Sequence, residues 1–316
     1  MAASVRPETS GRNYNYLVRI YISWCGEQVP IVEPFTAPVT AVANFLAWVH
    51  SNRDLGQSAV ASFRSAISKI HMGFQGLPMG KSGAISNLIK GIGNADPDRK
   101  ARKPRYEDTW DVAPVLDALA GLHPPQSLSV MDLSMKTLAL VAMATISRSS
   151  TLGIMSRSFS HLENEKEGGD LQLFVDFLPG SQEKTGRNRR GVFVPILAEE
   201  EALDPVLYLL AYRSRVVTIK RAESEQICSP LWVSSRKPHS PVKPVTLASW
   251  LRKAMEKGGV DTSKYKAHSV RAAAPAHLRK EKALSLSQVL ARGGWKASAE
   301  GKSRTFMVFY ERSAVA

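Results

Sequence analysis

Along the first hundred positions, apolar residues recur at the spacing of an α-helix. Leu17, Ile20, Tyr21 and Trp24 fall at i, i+3, i+4 and i+7, and Val42, Phe45, Leu46 and Val49 repeat the pattern beyond the turn-like Glu33-Pro34-Phe35-Thr36. Val60, Phe63, Ile67 and Ile70 predict a third helix, and Ile85, Leu88, Ile89 and Ile92 a fourth. Four amphipathic helices make a small bundle, read here as a helical domain over 1–96. The polar positions of the third helix are Ser62, Arg64, Ser65, Ser68 and Lys69. Such small and basic side chains let a helix approach a phosphate backbone, with Arg64 and Lys69 as the contacts, and they equally suit a plain solvated face.

From 97 to 108 the periodicity stops. The stretch PDRKARKPRYED holds five basic residues in seven, Arg99, Lys100, Arg102, Lys103 and Arg105, and reads as a basic linker whose cations are candidate DNA contacts, with a solvated connector or a nuclear-localisation patch as the alternatives. Beyond it the pattern mixes in a second domain over 109–316. Residues 112–122 and 133–146 read as helices, the second apolar nearly all round and therefore buried. LQLFVDFL (171–178) and GVFVPIL (191–197) have strand composition, and the polar, basic connector 179–190 between them predicts a β-hairpin with a long tip. Thr246 is the expected cap of a helix that runs through Lys257 and stops at Gly258-Gly259; short helices are expected over 268–280, 286–292 and 304–311. The fold class is α+β, mainly helical, with no internal repeat.

Charge sharpens this picture. The 316-residue chain has 42 basic and 28 acidic side chains, a net charge of +14, and an excess of this size attracts polyanions. Residues 1–106 hold 13 basic and 6 acidic residues, and 107–316 hold 29 and 22, so each part carries +7 although the first is half as long. Double-stranded DNA is the leading partner. With 44% hydrophobic and 22% charged residues the chain folds rather than staying disordered. The two cysteines, Cys25 and Cys228, exclude a disulfide framework and a Cys-rich zinc site. The start lacks the apolar core of a signal peptide, and no run approaches the roughly 20 apolar residues of a membrane span, so a soluble intracellular protein without a membrane partner is expected.

Several chemistries are missing from the sequence. It has no Gly-rich phosphate loop, no dinucleotide fingerprint, no HExxH and no Cys-x-x-Cys, and the acidic clusters 163–170 and 199–201 read as a charged loop and a helix start. No cofactor and no metal is expected. What remains is a dispersed set of cations and one tyrosine: Arg148 in ATISRSSTLGIM, His268 and Arg271 in AHSVRAAAPAHL, Trp295 in ARGGWK, and Tyr310 in TFMVFYER. The set resembles the tyrosine recombinase (phage integrase-like) family, whose pattern runs arginine, hairpin lysine, His-x-x-Arg, a His or Trp after glycine, and a nucleophilic tyrosine. HSVRAAA and GGW followed by TF…FY are more similar to the recombinases of eukaryotic DIRS-like and Ngaro-like retroelements than to bacterial chromosome-dimer resolvases.

The resemblance implies a helical core-binding domain and a catalytic domain with a small β-hairpin sheet, forming a clamp around DNA. It also implies site-specific strand exchange, the integration or excision of a mobile element, by dimers or tetramers on paired DNA sites. Nuclear localisation follows for a eukaryotic element, and a cytoplasmic, DNA-associated protein otherwise. The residue types fit the chemistry. Guanidinium forks such as Arg148 and Arg271 donate to the phosphate oxygens that gain charge under attack. Tyr310 can hold the phosphate as a covalent ester, His268 can exchange its proton, and Trp295 can give one N–H donor. From the hairpin tip SQEKTGRNRR the resemblance selects Lys184 as the acid that protonates the departing 5′ oxygen; Arg187, Arg189 and Arg190 compete there as phosphate contacts. Two departures from the family stand out: Thr151 where many relatives place a carboxylate, and extra residues at 299–302 between Trp295 and Tyr310. Similar chemistry serves a type IB topoisomerase, which reseals the same strand, and a domesticated DNA-binding protein could retain the residues without the activity.

Overall fold

The computed structural model describes residues 8–95, 106–164, 171–181, 183, 190–197, 199–219, 229–281, 284–311 and 314–315. It divides into two compact units, Met1–Lys103 and Pro104–Ala316. The basic stretch Arg99, Lys100, Arg102, Lys103 and Arg105, the hairpin residues Lys184, Arg187 and Arg189, and Cys228 lie outside the described residues.

The first unit consists of α1 (Glu8–Gly26), α2 (Val39–Asn52), α3 (Gln57–Ile67) and α4 (Gly83–Ala95). Their apolar faces meet on Phe45, whose ring lies edge-on to Tyr21 at 4.9 Å, Trp24 at 5.4 Å and Phe63 at 5.7 Å. Burial of these rings, Val42, Val60 and Ile85 is what makes short helices stable together. The third helix ends at Ile67, one turn before the expected Ile70, because residues 68–70 tighten into a turn with Ile70 N–H bonded to the Ile67 carbonyl.

In the second unit, β1 (Thr109–Trp110) is followed by α5 (Ala113–Ala120), α6 (Val130–Thr145) and α7 (Ser149–Leu152). Ser129 caps α6 by accepting the Asp132 N–H. Nearly every side chain of α6 is buried, including Lys136, as its unbroken apolar composition requires. A three-stranded antiparallel sheet follows, β2 (Met155–Asn164), β3 (Leu171–Phe177) and β4 (Gly191–Pro195), in the order β2-β3-β4. The predicted hairpin is β3–β4, paired from Gln172↔Pro195 to Asp176↔Gly191; β2 has no counterpart among the predicted elements.

The rest is helical: α8 (Pro205–Ile219), α9 (Pro244–Lys257), α10 (Val270–Glu281), α11 (Leu286–Gly293) and α12 (Arg304–Phe309), then β5 (Ala314–Val315), which pairs in parallel with β1. Helix α9 starts two residues before the expected cap Thr246, because Pro244, with its fixed φ and missing N–H, suits a first helical position. Ser285 and Gln288 form a reciprocal capping box at the head of α11. Among the described residues no helix is long and apolar enough to cross a membrane.

Candidate active site

Arg271 sits in the first turn of α10 and is 2% exposed. Two backbone carbonyls hold its guanidinium: Nη1 donates to Ile146 O and Nη2 to Gly293 O at 2.9 Å. Ile146 terminates α6 in the left-handed region, φ 52°, a costly conformation for a β-branched residue, and it turns that carbonyl toward the arginine. The guanidinium carbon lies 4.4 Å from the Trp295 ring centroid and 5.4 Å from that of Tyr310. Burial, then the like charge of Arg148, push the Arg271 pKa down to about 10, against Tyr310 and Glu183, which act to raise it.

The other members come from three more segments. Tyr310 closes α12, and its hydroxyl lies 2.8 Å from Nε2 of the exposed His268, with the two rings edge to face. Trp295 is 4% exposed, packs on Phe306 at 4.8 Å and on Tyr310 at 4.9 Å, and its Nε1–H has no hydrogen-bond partner among the described residues. A buried donor left in that state is costly until it meets an acceptor. Arg148, half-buried, stands at the head of α7 close enough to act on Arg271 electrostatically. Thr151, one turn further along α7, donates from Oγ1 to Glu183 Oε1 at 3.2 Å.

Contacts from the start of the unit hold the segment on either side of His268, at Lys264, Tyr265 and Ser269. Trp110 Nε1–H donates to Ser269 Oγ at 2.8 Å, Tyr265 donates to Asp108 at 2.5 Å, and Lys264 pairs with Asp108 at 3.0 Å. The hydrogen bond from Tyr265, then that from Lys264, hold the Asp108 carboxyl below the usual carboxylate range. On the far side of Tyr310, Glu311 accepts from Arg279 of α10 at 2.8 Å. The extra residues at 299–302 fold into a closed turn, with Ser298 N–H on the Lys302 carbonyl at 2.7 Å and Gly301 at φ 70°. Among the described residues no group of three or more His, Cys, Asp or Glu could hold a metal ion.

His268, Arg271, Trp295 and Tyr310 are thus linked by ring contacts and a hydrogen bond, and Arg148, 162 positions before Tyr310 (310 − 148), acts on Arg271 electrostatically. Neither a family model nor a curated protein matches the chain. Among solved structures, XerH site-specific recombinase bound to difH substrate, a pre-cleavage complex, superposes with a TM-score of 0.53 at 12% identity, covering 94% of this chain and 77% of that one. The fold is that of the tyrosine recombinases. A lambda integrase(75–356) dimer bound to a COC′ core site is also similar, at 15% identity and TM-score 0.46, over 95% of this chain and 89% of that one. XerA recombinase matches at 13% identity and TM-score 0.42, over 97% and 88%.

In this tyrosine-recombinase fold the remaining candidates are placed as follows. Arg190 is exposed just before β4, and its carbonyl accepts the Phe177 N–H. Arg64 is half-buried on α3 and Lys69 is exposed beyond its end. Ser62 and Ser65 spend their hydroxyls on the helix's own carbonyls, Ser58 O and Ala61 O. Sequence reasoning missed Gly293 and Ile146, whose carbonyls anchor Arg271, and Glu183. The doubled glycine before Trp295 was the available signal for the first.

Proposed function

We propose that the chain is a site-specific DNA recombinase acting through a covalent 3′-phosphotyrosine. The observation that carries this reading is the 2.8 Å contact of the Tyr310 hydroxyl with His268 Nε2 beside the buried Arg271–Trp295 stack. With Nε2 unprotonated, His268 accepts the Tyr310 proton as the phenolic oxygen attacks the scissile phosphorus. Arg148 and Arg271 stabilise the charge that develops on the non-bridging oxygens, and the unpartnered Trp295 N–H supplies a further donor. Lys184 protonates the departing 5′ oxygen. The bond to Tyr310 conserves the energy of the broken phosphodiester, so the 5′ hydroxyl of a partner strand reseals it and releases the tyrosine.

In this reading 1–96 is a DNA-binding domain, 97–108 a basic linker and 109–316 the catalytic domain. Both units contact the duplex, through Arg64, Lys69, the linker cations and Arg187, Arg189 and Arg190. Four protomers on two sites complete the exchange, and HSVRAAA with GGW supports a mobile element of the eukaryotic retroelement branch, acting in the nucleus. The test uses a pool of randomised duplexes carrying a 5′-bridging phosphorothiolate, whose thiol leaving group does not religate. The full chain is expected to become covalently attached to DNA at Tyr310, and Tyr310→Phe to bind the pool without attachment. An adduct on another residue, or one of undiminished yield in Tyr310→Phe, overturns the assignment.

A further inference from the structure

The arrangement of the two arginines poses a problem of charge. Arg271 is almost wholly buried, and the cation that acts on it among the described residues, Arg148, repels it. The two carbonyls that hold its guanidinium are neutral, and they orient it without neutralising it. A buried cation beside a second cation needs a fixed negative charge nearby, or one of the two swings out toward water. The residue on the same turn as Arg148 that faces this region, Thr151, carries none.

Glu183 meets that need from a different part of the chain. The chain leaving β3 is pinned before it reaches this residue: Leu178 N–H donates to the Ile154 carbonyl at 2.8 Å, and Ser181 Oγ donates to the Leu178 carbonyl at 2.5 Å. Two residues later the half-buried Glu183 carboxylate accepts from Thr151 Oγ1 at 3.2 Å and lies within electrostatic reach of Arg271. The threonine hydroxyl therefore acts as a peg that fixes a carboxylate borrowed from the hairpin. We infer that Glu183, held by Thr151, is the counter-charge that positions the Arg148–Arg271 pair, doing from the hairpin what residue 151 cannot do itself. This rests on the recombinase reading for its catalytic consequence and on the buried charge alone for its structural one.

The sign of the effect separates this role from a bystander's. A surface acid near a phosphate site repels DNA, so its removal strengthens binding and leaves cleavage equal or faster. A positioning counter-charge gives the reverse. The full chain and its Glu183→Gln, Thr151→Asp and Thr151→Asp/Glu183→Gln variants are compared in single-turnover adduct formation on the phosphorothiolate pool, in binding to that pool, and in thermal unfolding. Glu183→Gln is expected to slow adduct formation on the order of tenfold or more while binding is kept, since misplacing a reacting group by a fraction of an ångström suffices for that. Thr151→Asp alone is expected to be slow, because two carboxylates then crowd one place, and to recover most of the rate when combined with Glu183→Gln. Rescue by moving the charge is a result that a packing role does not produce. If Glu183→Gln cleaves as fast as the parent, or the double variant is slower than either single one, the inference is wrong. Should the parent form no adduct, the recombinase reading fails and unfolding decides: a lower midpoint for Glu183→Gln, restored in the double variant, upholds the counter-charge, and an unchanged midpoint overturns it.

Discussion

Replacing Gly293 by alanine adds one methyl group where the fold has no room for it. A β-carbon built there lies 1.9 Å from Cζ3 and 2.3 Å from Cε3 of Trp295, whereas ordinary contact begins at 3.4 Å. The indole must therefore retreat by at least 3.4 − 1.9 = 1.5 Å, or the end of α11 must move instead. Neither motion is local. The indole is packed on Phe306, Tyr310 and the Arg271 guanidinium, and the Gly293 carbonyl is itself one of the two anchors of Arg271. Overpacking of this kind costs about 1–3 kcal/mol, which for a domain of this size lowers the melting temperature by roughly 2–10 °C. A displacement of about 1 Å at the reacting groups costs on the order of 10²-fold in rate. Gly91→Ala is the matched control: it lies in α4 with nothing within 4 Å of its new β-carbon, and it should stabilise by up to about 1 kcal/mol through helix propensity. Differential scanning calorimetry and single-turnover adduct formation on the phosphorothiolate pool measure both effects. If Gly293→Ala unfolds with the parent and cleaves at its rate, the packing of Trp295 against α11 is not what seats the tyrosine.

Lys136, fully buried in α6 with Nζ on the Leu122 carbonyl at 2.6 Å, has its pKa pushed down to about 8 by burial. Because the folded value lies below the unfolded 10.5, the unfolded state binds more protons between these pH values, and stability rises with pH across that window by up to about 3 kcal/mol. Lys136→Met, which leaves the Leu122 carbonyl still satisfied by Tyr208, should therefore be about 1–2 kcal/mol more stable than the parent at pH 7, with the advantage gone by about pH 9 and the order reversed near pH 10.5; denaturant titrations that show a constant gap refute this. Lys184→Ala should cleave ordinary DNA slowly and recover on the bridging-sulfur substrate, whose thiolate, with a pKa near 8.5, leaves without a proton; selective rescue of Arg187→Ala or Arg190→Ala instead moves the general acid to that residue. Neutralising Arg99, Lys100, Arg102, Lys103 and Arg105 should weaken binding to all sequences and flatten its salt dependence by about one unit of slope for each phosphate set free, and an unchanged slope makes the stretch a connector only.

The parts of this fold that can be read from the sequence are those in which one face of an element is apolar and the other is not. Helices α2 and α4 show themselves through Val42, Phe45, Leu46 and Val49 and through Ile85, Ile89 and Ile92, all of which are buried. Strand β2 does not, because SRSFSHLEN lies at the edge of its sheet and carries hardly any apolar alternation. The start of α9 is misplaced at Thr246 when a side-chain cap is sought where a proline sets the first turn. In the candidate site, residue types and their order point to a chemistry, but the contacts that position them are hidden. Carbonyl anchors such as Ile146 O and Gly293 O have no side-chain signature, and nothing in the composition of Ile146 suggests a left-handed residue. The pairing of Thr151 with Glu183 spans 32 positions and depends on the course of the hairpin.

The parallel pair β1–β5 bears on how the protein is made. It joins Thr109 to Ala314, segments 314 − 109 = 205 residues apart, and β5 begins four residues after Tyr310. Synthesis runs from the N-terminus, and a loop of this length closes only after everything between its ends exists. On the ribosome the basic N-terminal unit is therefore complete, and β1 exposed without its partner, long before α12 and its tyrosine emerge. The nascent chain carries the positive charge of its first unit well before the seat of Tyr310 is assembled, so a chain cut before α12 holds Arg148 and Arg271 without the hydroxyl beside Arg271.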